Sequence, residues 1–130
     1  MLIQPSTLVL GEKDWQQYII IRRLVEDFKL PIKLVGIGTV REHDGLAFSS
    51  RNKYLSEIER ERAKALPKLL KQAAKEFQIN KTINIREIRS SLMVEKLDVE
   101  YLDLVDPFTM KSLKDLQSIN LLASAINCGK

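Results

Sequence analysis

The sequence predicts an α+β chain: part of a parallel α/β sheet, then a smaller unit of helices packed on a short antiparallel sheet. Three observations predict it. A strand-like run, a glycine loop, an amphipathic helix and a second strand-like run follow one another up to Ile37. That is the order of half a parallel α/β unit with a right-handed crossover. A complete parallel sheet needs more strands, and helices on both faces, than this opening supplies. Beyond Lys53 the pattern changes to helices followed by two strands. The expected division is therefore 1–53 and 54–130.

The opening run Leu2–Leu10 is apolar, and Thr7, Leu8, Val9 and Leu10 favour a strand that stops at Gly11. Gly11-Glu12-Lys13-Asp14 reads as a tight loop, with Asp14 placed to cap a helix running to about Lys29. Along that helix Tyr18, Ile19, Ile21, Leu24, Val25 and Phe28 recur at three- and four-residue steps. Pro31 stops it, and Ile32–Ile37 is a short strand. From Gly38 to Lys53, polar residues punctuated by glycine predict a long ordered loop. Ser56 and Glu59 have capping-box spacing and open a helix that runs through Leu66, Leu69, Ala73 and Phe77 to about Gln78. Pro67 lies inside this helix and must kink or divide it. Asn84 caps a further helix with Ile85, Ile88, Leu92 and Leu97 at helical spacing. Strands Val99–Val105 and Leu121–Ile126 follow, joined through a turn or short helix at Lys111–Leu116.

At 130 residues the chain fits one ordinary domain or two very small ones, and hides roughly two-thirds of its unfolded surface. Hydrophobic residues make up 45% and charged residues 29%, which argues against a disordered chain. Cys128 is the single cysteine and His43 the single histidine. That excludes an internal disulfide framework and starves a His/Cys zinc centre of ligands, so no metal site is expected. No apolar run approaches the roughly 20 residues of a membrane span, and Met1–Pro5 lacks the form of a secretory signal. A soluble, cytoplasmic chain is the expectation. The 21 basic residues against 17 acidic, a net charge of +4, favour anionic partners without selecting nucleic acid.

Two segments carry candidate chemistry. Gly11-Glu12-Lys13-Asp14 lies between a strand end and a helix start, where open α/β sheets bind ligands and helix N–H groups meet anions. Lys13 offers a compact positive charge to a phosphate, and Asp14 an acceptor to a ribose hydroxyl. Phe48-Ser49-Ser50-Arg51-Asn52 combines two hydroxyls, backbone donors and a guanidinium, a set suited to wrapping a phosphate chain. Each segment also suits an ordinary polar turn, and the two gain meaning if both face one cleft. His43 reads as a surface histidine, Cys128 as a structural or free thiol, and Trp15 as packing. On the helix after Ser56, Glu57–Glu61 and Arg60–Lys64 are like-charged i,i+4 pairs that suit a solvated face. Lys64, Lys68, Lys71 and Lys75 form a possible basic stripe.

These segments resemble the pantothenate synthetase (pantoate–β-alanine ligase) family. The resemblance rests on Gly11-Glu12-Lys13-Asp14-Trp15-Gln16-Gln17 and Ile21-Arg22-Arg23-Leu24-Val25-Glu26-Asp27. It continues through Thr39-Val40-Arg41-Glu42, Asp44-Gly45-Leu46-Ala47-Phe48-Ser49-Ser50-Arg51-Asn52, Tyr54-Leu55-Ser56 and Tyr101-Leu102-Asp103-Leu104-Val105-Asp106-Pro107. It covers nearly the whole chain in the family's order, as the C-terminal portion of such a ligase starting late in its Rossmann-like domain. It implies a nucleotide-binding remnant and hinge loop over 1–53, and an α+β lid over 54–130.

The resemblance implies that ATP, with Mg2+, adenylates pantoate, and that β-alanine then displaces AMP to give pantothenate, a coenzyme A precursor. Lys13, Ser49, Ser50 and Arg51 would stabilise phosphate and transition-state charge. Gly11, Glu12, Lys13, Asp14, Val40, Phe48, Ser49, Ser50 and Arg51 would bind ATP, with Gly11 and Asp14 at the ribose and the Val40 backbone at adenine. Gln17 matches a pantoate-binding position. Phe48 stands where the family usually has methionine, and Trp15 where phenylalanine or tyrosine is common. A homodimer is implied for the intact family, with no membrane or nucleic-acid partner.

The family's His-x-Gly-His motif, first strands and second pantoate-binding glutamine find no counterpart here, and its last strand is expected to be cut short after Cys128-Gly129-Lys130. The chain by itself is therefore expected to be inactive. A sheet cut at Leu10 or Ile37 leaves strand edges that seek partners, so the later helices and strands should be the stable part. The alternatives are a small basic module binding anions or nucleic acid through the Lys64–Lys75 face, and a structural lid or dimerising piece.

Overall fold

The computed structural model describes residues 3–129; Met1, Lys130 and Leu2, the start of the apolar opening run, lie outside them. The described chain forms two compact units, one through Val40 and one from Arg41. In the first, β1 (Thr7–Gly11) and β2 (Lys33–Ile37) pair in parallel, in register from Thr7 opposite Lys33 to Gly11 opposite Ile37. Their crossover is α1 (Trp15–Asp27), anchored by buried Ile19. Half-buried Leu8 and Leu10 alternate with exposed Thr7 and Val9, the period of a strand covered on one face. The helix ends where Lys29 turns to φ 49°, and the Leu30 N–H returns to the Val25 carbonyl at 3.0 Å just before Pro31.

The second unit opens with a tight turn. Glu42 N–H donates to the Leu46 carbonyl at 2.8 Å, Gly45 N–H donates to the Glu42 carbonyl at 2.9 Å, and Gly45 sits at φ 90°. A 3-10 segment follows at Ser50–Tyr54. The long helix is divided, as Pro67 requires, into α2 (Glu57–Ala63) and α3 (Ala65–Asn80). Pro67 has no N–H for the Ala63 carbonyl, so the ladder lapses between them. The Ser56 capping box forms in full: Ser56 Oγ accepts the Glu59 N–H at 3.3 Å, and Glu59 Oε2 accepts the Ser56 N–H at 2.8 Å. Asn84 Oδ1 accepts the Glu87 N–H at 3.2 Å to cap α4 (Ile85–Val94).

Strands β3 (Asp98–Val105) and β4 (Leu121–Asn127) pair antiparallel, with Val105 opposite Leu121 and an irregularity between Val99 and Tyr101. Between them the turn falls at residues 107–109, ahead of the expected place, and residues 111–116 form neither turn nor helix but an irregular stretch with Ser112 bridged to Val105 and a bend at residues 114–115. The core joins Ala73 of α3, Ile88 and Leu92 of α4, Leu97, and Leu102 of β3, packed by Leu66, Leu69, Leu122 and Ile126. The boundary between units lies ahead of the expected one at Lys53, because hydrogen bonds tie the turn after Arg41 to α2. Among the described residues no helix is long and apolar enough to cross a membrane.

Candidate functional site

Parallel pairing brings Gly11 and Ile37 side by side at the carboxyl ends of the two strands. Gly11 enters a 3-10 turn, Glu12–Asp14, that runs directly into α1. Its backbone is ordinary extended chain, φ −77° and ψ 131°, and nothing lies within 4 Å of where a Cβ would stand. Neither backbone geometry nor packing therefore requires glycine at this position. Gly36 is the opposite case: a Cβ there would stand 2.7 Å from Glu12 Oε1 and 3.2 Å from Tyr18 Cε2. The Glu12 carboxylate thus lies over β2. Tyr18 is held by Trp15, ring centroids 5.3 Å apart, so Trp15 packs as its position on the helix suggests.

Asp14 does not cap α1 with its side chain, contrary to expectation. Asp14 closes the 3-10 turn that runs into α1, with φ −98° and ψ 63°. Lys13, Asp14 and Gln17 are all exposed at this end of the unit, with Gln17 one turn beyond Lys13. Val40 is 62% exposed at the unit's end.

In the second unit, Phe48, Ser49, Ser50 and Arg51 lie together on one short loop. Ser49 caps the 3-10 segment, its Oγ accepting the Arg51 N–H at 3.3 Å. Phe48, Ser50 and Arg51 are exposed. Asn52, the last residue of the polar motif, points the other way. Its Nδ2 donates to the Ala47 carbonyl at 3.0 Å and to Glu42 Oε1.

Glu42 belongs to a network that periodicity could not reveal. From α2, Arg60 Nη2 donates to Glu42 Oε2 at 2.6 Å and Nε donates to Asp44 Oδ2 at 2.8 Å. Asp44 Oδ1 accepts the Leu46 N–H at 3.2 Å. Hydrogen bonds from Asn52 and then Arg60 hold the Glu42 carboxyl below its ordinary pKa. Burial pushes the Asp44 carboxyl up, but the Leu46 N–H and the Arg60 guanidinium outweigh burial and leave it below its ordinary value. Arg60 is thus the hub of an ion-pair network rather than a like-charged neighbour of Lys64, which bonds Glu61 instead. The only sequence signal was charge of opposite sign in the turn and on the helix, separated by 16 and 18 residues.

The remaining candidates contribute little. Lys68, Lys71 and Lys75 are exposed along α3, where Gln72 and Glu76 bond each other. His43 is exposed. Burial pushes the Cys128 thiol up, and its Sγ donates to the Glu59 carbonyl at 3.1 Å, which suits a structural thiol. Among the described residues no group of three or more His, Cys, Asp or Glu could hold a metal ion.

Residues 1–130 match the sequence model of the family described as pantoate-beta-alanine ligase. A bifunctional pantoate ligase/cytidylate kinase from Prochlorococcus marinus strain NATL1A is 46% identical over 128 residues, 98% of this chain and 25% of that protein. One from Synechococcus sp. strain CC9605 is 47% identical over 128 residues, with the same two coverages. The chain thus spans about a quarter of the length of these curated relatives. Among solved structures, pantothenate synthetase from Thermus thermophilus superimposes with a TM-score of 0.75 at 35% identity, over 95% of this chain and 47% of that one. The pantoate-beta-alanine ligase of Francisella tularensis, complexed with beta-gamma ATP and beta-alanine, gives 0.64 at 27% identity, over 95% and 44%. On the match across its whole length, with the strand-end turn and polar loop in place, this chain belongs to the pantoate–β-alanine ligase family.

Proposed function

We propose that this chain supplies nucleotide- and pantoate-binding elements of a cytoplasmic ligase that activates pantoate with ATP and joins it to β-alanine. The carrying observation is Gly11: a glycine the fold does not need, with open space above its Cα, at a parallel strand end before a helix start. A bare Cα there lets a ligand approach the backbone.

In this reading Gly11, the Glu12 backbone and Asp14 hold the ribose, the Val40 backbone meets adenine, and Gln17 binds pantoate. The pantoate carboxylate attacks the α-phosphorus, its bond to the bridging oxygen breaks, and pyrophosphate leaves. The amine of β-alanine then attacks the acyl carbon, loses a proton, and expels AMP. Both steps gather negative charge on phosphate oxygens. Lys13 at the strand end and Ser49, Ser50 and Arg51 on the loop, with Phe48 beside them, supply donors and positive charge to neutralise it. Mg2+ enters as part of the Mg-ATP substrate, a cation that prefers phosphate oxygens, water and one or two carboxylates to an all-protein cage. The junction at Val40–Arg41 would serve as the hinge and the second unit as the lid, and homodimer assembly belongs to the same proposal.

The chain's only histidine, His43, is exposed on a turn, and the chain by itself is expected to release no AMP. AMP release dependent on both pantoate and β-alanine would refute that part. The binding reading is tested by titrating the 15N-labelled chain with Mg-ATP. Saturable amide shifts confined to Gly11–Gln17, Val40 and Phe48–Arg51 are expected. A well-dispersed spectrum that stays unmoved at millimolar nucleotide would overturn it.

A further inference from the structure

We propose that Asn52 is the positioning residue of the phosphate loop, and that Arg60, acting through Glu42, aims it. The inference rests on the reading of Phe48–Arg51 given above. Ala47 and Asn52 flank that loop, and Asn52 closes it twice: Nδ2 donates to the Ala47 carbonyl at 3.0 Å, and its backbone N–H donates to the Ser49 carbonyl at 3.1 Å. The same Nδ2 donates to Glu42 Oε1. A carboxamide has two N–H donors, so both are occupied inside the protein. Asn52 therefore shapes the loop from behind while Ser50 and Arg51 remain exposed in front.

Glu42 can orient Asn52 only if Glu42 is itself fixed. Arg60 fixes it: one guanidinium reaches Glu42 Oε2 at 2.6 Å and Asp44 Oδ2 at 2.8 Å. A planar fork with several donors can hold two carboxylates of one turn at once, which a lysine ammonium does without set directions. The path runs from α2 to the turn, from the turn to Asn52, and from Asn52 to both sides of the loop. A loop ordered before its ligand arrives spends none of the binding energy on ordering.

The test compares wild type with Asn52→Ala and Arg60→Lys, all 15N-labelled, before and during titration with two probes, Mg-ATP and adenosine. Without ligand, the amide resonances of Phe48–Arg51 are expected to move in both variants, while those of core residues Leu92 and Leu102 stay in place. With ligand, Asn52→Ala should weaken Mg-ATP about tenfold and leave adenosine unchanged. Adenosine is the control that general loosening would not spare. Unmoved loop resonances in Asn52→Ala overturn the proposal whether or not nucleotide binds. Equal losses for both probes, or an unchanged Mg-ATP affinity beside moved resonances, overturn it as well. If neither probe perturbs wild type, the nucleotide reading fails separately, and positioning is judged on whether both variants move the loop together. Should Asn52→Ala not fold, Arg60→Lys carries the same comparison, since it keeps the charge and loses the fork.

Discussion

Arg60 and Asp44 meet across 16 residues of chain, Nε to Oδ2 at 2.8 Å, with the Asp44 side chain only 4% exposed. The other Asp44 oxygen accepts the Leu46 N–H, so turn and helix are joined on one enclosed carboxylate. Removing the guanidinium would leave that carboxylate and Glu42 facing each other without a counter-charge, the costly way to break such a pair. Arg60→Leu is expected to lower the Tm of the second unit by several degrees, and Arg60→Lys by less, because the ammonium keeps charge without the fork. Calorimetry on the two variants checks the order. A leucine variant as stable as wild type would mean that desolvation cancels the attraction.

The same network gives the acid limb its sign. Glu42 is held low by Asn52 and Arg60, and Glu59 by the Ser56 N–H and hydroxyl. Asp44 is raised by burial but brought below its ordinary value by Leu46 and Arg60. A carboxyl whose folded pKa is depressed stabilises the fold fully above its unfolded value, about 4, and that stabilisation fades as pH falls through the folded pKa. The Tm should be level down to about pH 5 and drop below about pH 4. Glu42→Gln, which removes one of the groups, should make the drop shallower. A Tm that climbs on acidification would contradict these directions.

Local chemistry made most of the fold legible. Pro67 foretold the break between α2 and α3, Ser56 with Glu59 foretold the cap, and Pro31 foretold the end of α1; each acts on backbone donors within a few residues. Asp14 misled because the position ahead of α1 is already the last residue of a 3-10 turn, Glu12–Asp14, and its side chain makes no cap bond to the helix. The ligand-facing segments were legible as residue types between a strand and a helix. Their support was not. The contacts of Arg60 with Glu42 and Asp44, and of Asn52 with Glu42, join positions with no common period, so only the folded chain reveals that a presumed surface arginine organises a loop.

Ser56 carries a prediction that isolates one local device. Its hydroxyl accepts the Glu59 N–H, and Glu59 in return accepts the Ser56 N–H, satisfying donors that would otherwise end unpaired. Ser56→Ala should destabilise the second unit by about 1 kcal/mol, and Ser56→Asp should recover most of it, since aspartate is also a good cap. Urea unfolding at constant m-value measures both. Equal losses in the two variants would show that the hydroxyl matters for something other than the cap.

Gly11 and Gly36 lie near the ends of paired strands and should respond to alanine in opposite ways. At Gly36 the new methyl would press on the Glu12 carboxylate and on the edge of the Tyr18 ring. The carboxylate can swing aside, but Tyr18 is packed on Trp15, so a loss of about 1 kcal/mol is expected in the first unit. At Gly11 the methyl meets nothing and the backbone is already extended. Alanine there removes freedom from the unfolded chain and should leave stability level or raise it by about 0.4–1 kcal/mol. The Mg-ATP shifts at Gly11–Gln17 should nonetheless vanish, because the methyl fills the space the backbone holds open. Measuring stability and nucleotide shifts on both variants separates the two roles. A Gly11→Ala chain that unfolds more readily would place the reason for this glycine in the fold, and one that still binds nucleotide would take the ligand away from the strand end.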